Sequence, residues 1–395
     1  MTISDTQSSA EDRIPEASDR LPTAPAIPAK APRLLALDAF RGLTIILMLL
    51  VNNIALDTDT PRQLQHAPWN GGVRLADLVF PWFLFAVGTA IPYAAAAFRR
   101  QNLPSWRYDL KVLWRTLLLV LLGCLIDSAI AKHPTFDLNV LQIIGLAYLV
   151  GALLSELPAS RRLLIAGIML VGYWAALKYL PIPGFGAGIL EETNNLIFHM
   201  NRAYFSSIHV GKLSFTLWGL PSVVPTAALV LIGSAIGDLL RTTWDKRVKL
   251  GVMLLAAMLL VGGGVLWNIS LPFNKGLWTP AYILLTAGLG TLLLSVLFLC
   301  IDLPGWRAWP YPLLVFGSNA ILAYVAPILL KVLVLQVWQM PLDSGQRQPL
   351  DQWLLQLACT HFGHLNGGWV YTIGYIVVWW GVLWVLYRQK LFLRV

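Results

Sequence analysis

Charge is what this sequence has least of. Only 12% of its 395 residues are Asp, Glu, Lys or Arg and 57% are hydrophobic, whereas soluble domains carry about 25% charged residues. With a mean hydropathy of +0.65, the chain has too little polar surface to cover a water-soluble core, so lipid must solvate part of it. Cysteine is nearly as scarce. Cys124, Cys300 and Cys359 stand far apart with no Cys-X-X-Cys pair, which argues against a disulfide framework or a zinc site. His361 and His364, three apart as on one helix face, have no carboxylate or third ligand nearby, so no metal is expected. A basic stripe with interleaved aromatics is also missing. The net charge of +9 is scattered singly and in pairs between apolar runs, which excludes nucleic acid as a partner.

What is there is a succession of apolar segments. A bilayer-spanning helix needs about 20 apolar residues, and such runs recur from Leu34 to the end, near 34–54, 75–98, 110–130, 138–155, 163–180, 216–240, 249–270, 278–301, 311–338 and 368–387. The expected fold is an all-α polytopic membrane protein with about ten spans. The 17 Trp residues suit a membrane–water interface. Residues 1–33 are rich in Ser, Ala, Pro and charge and hold no apolar signal-peptide core. They read as a disordered cytosolic tail, with 34–395 as a single membrane domain.

Lys and Arg set the orientation. One set of links holds Arg99, Arg100, Arg107, Lys111, Arg161, Arg162, Arg241, Lys246, Arg247, Lys249 and Arg307, with Arg388, Lys390 and Arg394 after the last span and Lys30 and Arg33 before the first. The opposite links, which include Lys212, are longer and poorer in positive charge. Both termini are therefore expected in the cytosol of a multi-pass protein, as an even span number also requires.

Polar residues near spans are costly and ask for a reason. Asp38 and Arg41, three apart at the start of the first span, can pair across one helix face. That pair either fixes helix packing or offers a guanidinium to an anion. Asn52 and Asn53 close the same span, and His66 and Asp77 flank the next. One imidazole, one carboxylate and two amides thus gather at two helix ends. His66 can move a proton, Asp77 can orient it, and Asn52 or Asn53 can donate to an oxyanion. Asp127, His133 and Asp137 can line the same outer cavity, and so can the loop carrying Glu191, Glu192, Asn194, Asn195, His199, Asn201, Arg202 and His209. Pro221 and Pro225 fall inside the expected sixth span and mark it as cavity-lining. Gly262-Gly263-Gly264 reads as a close-packing surface.

Several of these stretches resemble the heparan-α-glucosaminide N-acetyltransferase family, including bacterial members. They are Leu37-Asp38-Ala39-Phe40-Arg41-Gly42, Val51-Asn52-Asn53, His66-Ala67-Pro68-Trp69-Asn70-Gly71 and Ala76-Asp77-Leu78-Val79-Phe80-Pro81-Trp82-Phe83. The likeness continues at Pro272-Phe273-Asn274-Lys275-Gly276-Leu277-Trp278-Thr279, Gly317-Ser318-Asn319-Ala320-Ile321-Leu322-Ala323-Tyr324 and Tyr387-Arg388-Gln389-Lys390-Leu391-Phe392. The resemblance implies transmembrane acetyl transfer, from cytosolic acetyl-CoA as co-substrate to an amino sugar on the periplasmic side of a bacterial inner membrane. It maps the family's active-site histidine onto His66, with Asn52 and Asp77 beside it as catalytic residues. Arg41 and Asp38 fall to the donor, and Asn274, Lys275, Trp69 and Asn319 to substrate binding. Many relatives carry Asp-Pro-Glu-Gly where this chain has Thr216-Leu217-Trp218-Gly219, so both carboxylates are missing here. The expected partners are the bilayer, acetyl-CoA, the amino-sugar acceptor and, as an open assembly, a second copy in a homodimer. The competing reading is a transporter for an amino sugar or related solute that uses the same cavity without chemistry.

Overall fold

The computed structural model describes residues 34–211, 213–342 and 346–393, apart from the Val210 side chain. The tail 1–33, with Lys30 and Arg33, and the basic residues Lys212 and Arg394 lie outside the described residues. From Leu34 onward the chain forms one compact unit. Its helices are α1 (Leu35–Asn53), α2 (Leu75–Arg99), α3 (Ser105–Ala131), α4 (Val140–Leu153), α5 (Ala159–Tyr179), α6 (Leu196–Tyr204), α7 (Val223–Arg241), α8 (Lys246–Asn268), α9 (Pro280–Leu297), α10 (Tyr311–Ser318), α11 (Ala320–Leu330), α12 (Leu350–Phe362) and α13 (His364–Arg388). This is the all-α polytopic class that composition implies. Hydrocarbon offers no hydrogen bonds, so each apolar run closes its own backbone bonds as a helix.

Among the described residues eight segments are long and apolar enough to cross a membrane: α1, α2, α3, α5, α7 with its 3₁₀ lead-in, α8, α9 with its extension to Asp302, and α13. The other two of the ten expected spans differ. Helix α4 has 14 residues, or roughly 21 Å of rise against a hydrocarbon core of about 30 Å. The ninth span is broken, with α10 and the helix that follows it meeting at 78° across Asn319. Hydropathy averages over a break of one residue, so both read as ordinary spans in the sequence.

Helix α7 is central. Its residues from Pro225 to Gly233 are all buried, packed against α2, α4, α5 and α9. By contrast α8 buries only Met253, Ala257 and Gly264, and shows Leu254, Leu255, Met258, Leu259 and Leu266 to the outside. Such a surface costs nothing in lipid, where apolar side chains are solvated. Within the core, the hydroxyls of Thr89, Ser234, Thr286, Thr291 and Ser295 donate to carbonyls three or four residues back on their own helices, so these polar groups are satisfied in place. The expected role of Pro221 and Pro225 is corrected. Pro221 lies in the 3₁₀ turn Leu220–Ser222 and Pro225 is the third residue of α7, where a helix has no backbone bond to lose. Interior prolines occur instead in α2 (Pro81, Pro92) and α11 (Pro327).

Helices α1 and α10 cross at backbone contact. A Cβ on Gly42 would stand 1.8 Å from the Leu313 carbonyl oxygen, and one on Gly317 would stand 2.0 Å from the Asp38 carbonyl oxygen. The crossing is locked by Arg41, whose guanidinium donates to Asp38 at 2.7 Å and to the Gly317 carbonyl at 2.8 Å. Gly264 makes a similar approach to α9, whereas Gly262 meets nothing.

The two ends of the bundle differ. At one end the Asp302 carboxylate accepts from the amides of Leu35 and Ala36. Asn319 there donates to the Leu391 carbonyl and accepts from the Leu393 amide, so the start of α1 and the segment after α13 are both fastened at this end. The opposite end carries long connections. Between α5 and α7 they include the hairpins Pro181–Ile182/Gly186–Ala187 and Leu190–Glu191/Asn194–Asn195. A three-stranded sheet also forms there, in which Leu213–Phe215 pairs parallel to Thr135–Phe136 and antiparallel to Ile208–Val210. His361 and His364 do not share a helix face, because Gly363, at φ +77°, breaks the chain between α12 and α13. Among the described residues no group of His, Cys, Asp and Glu is placed to hold a metal.

Candidate active site

The site is built on the first turn of α2. Asp77, 1% exposed, sits where the helix dipole and unpaired amides favour an anion. One carboxylate oxygen accepts from the backbone amides of Ala67 and Arg74, each at 3.1 Å. The other lies 2.9 Å from His66 Nδ1 and 3.3 Å from Lys275 Nζ. Lys275 Nζ is also 3.1 Å from His66 Nδ1. The carboxylate can only accept and the ammonium can only donate, so Lys275 donates to Asp77, and the shorter 2.9 Å contact is met with Nδ1–H donating to the same oxygen, an assignment that leaves the 3.1 Å Lys275–Nδ1 approach as two donors side by side. That tautomer leaves the Nε2 lone pair for a substrate. The Arg74 guanidinium donates to the His66 carbonyl at 3.1 Å and so holds the loop that presents the imidazole.

Lys275 reaches this cluster because two loops are fastened together. Asn274 donates to the Trp69 carbonyl at 2.9 Å and accepts from the Leu277 amide at 2.9 Å. The Trp69 indole donates to the Leu190 carbonyl at 2.7 Å and lies against Gly276, where a Cβ would come within 2.5 Å of the ring. Burial pulls the Lys275 ammonium below the ordinary lysine value of 10.5, and the neighbouring Asp77 charge offsets part of that.

His66, Trp69, Asp77, Asn274 and Lys275 line one cavity of about 580 Å³, with Phe80, Asn139, Glu192 and Trp278 among its other walls. Asn139 and Val140 also line a second cavity of about 420 Å³ with Asn52, Asn53, Asp127, Gln142 and Lys331. A third, of about 410 Å³, joins through Leu138 and Asn139 and holds Asp137, Arg202, Thr216 and Trp218. Burial pushes the Asp137 carboxyl above the usual carboxylate range, against the opposing pull of His133.

The residues named from sequence thus divide into groups. His66, Asp77, Lys275 and Trp69 meet. Asn274 lines the same cavity, but its amide is used to tie the two loops. Asn52 is not beside His66. It is an exposed residue of the second cavity, while Asn53 is buried, donating to the Leu49 carbonyl and accepting from Lys331 at 3.1 Å. Asp127 also faces the second cavity, holding Asn139 at 3.0 Å and Gln142 at 2.7 Å. Asp38, Arg41 and Asn319 stand at the other end of α1, about 20 Å away along the helix axis. There the Asp38–Arg41 pair clamps α1 to α10. Asn319 spends its amide on the C-terminal segment, so it belongs to no wall of the His66 cavity. Two contributors were missed. Asn139 lines all three cavities, and its only sequence signal is an amide just ahead of an apolar run. Arg74 stands just ahead of α2, and nothing in the sequence signals that it binds the His66 carbonyl.

Over 93% of its length the chain is 26% identical to human heparan-alpha-glucosaminide N-acetyltransferase and 23% identical to the mouse protein. It spans about 60% of the length of these curated relatives. The family model described as heparan-alpha-glucosaminide N-acetyltransferase, catalytic, matches residues 33–265. That stretch is more than half of the chain and includes α1 through most of α8 with His66 and Asp77, and on this match the chain belongs to the heparan-alpha-glucosaminide N-acetyltransferase family.

Proposed function

We propose that this protein is a transmembrane N-acetyltransferase that passes the acetyl group of cytosolic acetyl-CoA to the amine of an amino sugar on the far side of the membrane. The observation that carries the reading is the His66–Asp77–Lys275 cluster on the wall of a 580 Å³ cavity. The reaction is aminolysis of a thioester. The amine nitrogen attacks the carbonyl carbon, the carbonyl electrons move to oxygen, and the C–S bond breaks to release CoA thiolate. His66 Nε2 takes the proton that nitrogen sheds and can return it to the sulfur. In the two-step variant, Nε2 attacks first and the amine then displaces an acetyl-imidazole. Asp77 keeps the proton on Nδ1 in either case. Lys275, a cation 3.1 Å from the ring, takes the oxyanion-stabilising role in place of Asn52, which lines the second cavity. Asn52 lies where the second cavity approaches the first, a position suited to the thioester arm.

The charge distribution supports cytosolic termini and an outer His66 in a bacterial cytoplasmic membrane. The deciding test uses purified protein in proteoliposomes, with labelled acetyl-CoA on one side and a panel of amino sugars on the other. Labelled N-acetyl sugar on the acceptor side is expected. If no acceptor is acetylated, while solute uptake occurs and survives loss of His66, the protein is a transporter.

Lys275 adds a pH prediction. Burial disfavours its charged form, so its proton leaves below 10.5. The transfer rate should therefore fall on an alkaline limb beginning below that value. In Lys275→Arg, whose guanidinium stays charged, the limb should vanish from the measured pH–rate profile. The linkage has the opposite sign for stability. Between the folded value and 10.5 the unfolded chain binds more protons, so Lys275 adds stability as pH rises through that window.

A further inference from the structure

The charges on the His66 cavity do not cancel. Its titratable walls are His66, Asp77, Glu192 and Lys275. Asp77 is neutralised where it stands, with Lys275 at 3.3 Å, His66 at 2.9 Å and two backbone amides on its other oxygen. Glu192 is different. It is exposed at the turn of its hairpin and lines the cavity mouth, and among the described residues its carboxylate makes no hydrogen bond or ion pair with the fold, so its negative charge is answered by solvent or by a cation that enters the cavity.

The position of Glu192 is held closely. With Thr193 it forms the two-residue turn between Leu190–Glu191 and Asn194–Asn195. The Asn195 amide, 2% exposed, donates to the Glu192 carbonyl at 3.0 Å and the Glu191 carbonyl at 2.7 Å, and its oxygen caps α6 through the Phe198 amide. The base of the hairpin is fastened to the His66 loop by the Trp69 indole. Three bonds thus hold the backbone of a turn whose carboxylate contributes to none of them. A carboxylate held at a cavity mouth with its oxygens free of the fold can exchange its water for an entering cation, and charge-assisted hydrogen bonds are the strong ones.

We propose that Glu192 is the specificity-determining residue of this cavity, selecting acceptors that carry an ammonium group and discriminating against the same sugar once it is N-acylated and neutral. The acetyl-transfer part of this inference rests on the function proposed above, but the binding part does not. Glu192 takes the arriving ammonium by charge. One proton then passes to solvent before the nitrogen attacks and the second goes to His66, so Glu192 acts on acceptor binding and not on bond formation. It also gives product a reason to leave, because acetylation removes the charge that held the substrate.

The test compares the full chain with Glu192→Gln and Glu192→Asp in detergent, using glucosamine and N-acetylglucosamine as probes in ligand-observed NMR titrations, followed by steady-state kinetics. Glu192→Gln is expected to weaken glucosamine binding and raise its KM by about tenfold or more, the scale of a lost hydrogen bond to a charged group. N-acetylglucosamine binding and kcat should stay within about twofold, and Glu192→Asp should recover part of the loss. An equal effect on both sugars, no effect on either, or no glucosamine binding by the unaltered protein would overturn the proposal. Charge-dependent glucosamine binding without any acetyl transfer would sink the acetyltransferase reading and leave Glu192's role standing. Transfer that is indifferent to Glu192→Gln would do the reverse.

Discussion

If the proposed acetyl transfer is correct, His66→Ala protein is expected to run at no more than about one hundredth of the wild-type rate, with a loss of ~10⁴-fold if the imidazole is the sole base. The fold should survive the change. The His66 side chain is 57% exposed, and Asp77 keeps the amides of Ala67 and Arg74 and the Lys275 ammonium as partners. The comparison to make is initial rate at saturating acetyl-CoA, beside size-exclusion profile and melting temperature. Full activity in His66→Ala would remove the imidazole from the chemistry. The same protein preparation separates the two routes. Wild type is mixed with acetyl-CoA without acceptor and its peptides are weighed. Acetyl on the His66 peptide establishes the two-step path, and its absence during rapid turnover establishes direct attack.

Gly42→Val leaves little folded protein. The added Cβ would meet the Leu313 carbonyl oxygen at 1.8 Å and the Gly317 amide nitrogen at 3.0 Å. Both are backbone atoms that cannot rotate away, and they sit in a helix that Arg41 and Asp38 clamp from the same side. Overpacking in an ordinary core costs about 1–3 kcal/mol, with larger values where nothing can yield. Here the crossing itself must open by more than an ångström, so the cost should lie at or above the top of that range. Fluorescence-detected size exclusion after a heat challenge reads the result directly. Gly251→Ala in α8, where a Cβ meets nothing within 4 Å, serves as the control and should leave the melting temperature unchanged or slightly raised. Equal tolerance at both positions would mean that α1 and α10 do not meet as closely as this structure has them.

The spans were legible because a lipid-exposed helix is a local object. It closes its own backbone hydrogen bonds, and its apolar run can be counted without knowing its neighbours. That is why the ten apolar segments were found near their places. It is also why the 14-residue α4 and the break at Asn319 passed as ordinary spans, since both depend on what surrounds them. The prolines of the expected sixth span were misjudged for a related reason. Whether Pro225 breaks a helix depends on whether it falls in the first turn or the middle, and apolar composition runs smoothly across that boundary.

The site shows the same division. His66 and Asp77 lie 11 residues apart, joined by one loop and one helix start, and their chemistry could be read as a pair. Asn52, equally near in sequence, looked like their companion but faces another cavity, because residues at one helix end point in different directions. Lys275, 209 residues from His66, and Glu192, on a hairpin tied down by Trp69, come to the cavity only through contacts between distant loops. The sequence by itself determined the class of protein and the family, and singled out His66 as the candidate imidazole, because hydropathy and short motifs are local quantities. Which cation stands beside that imidazole, which carboxylate joins its cavity wall, and that Arg41 ties two helices together were decided by tertiary packing alone, since the strength of an electrostatic interaction depends on distance in space rather than separation along the chain.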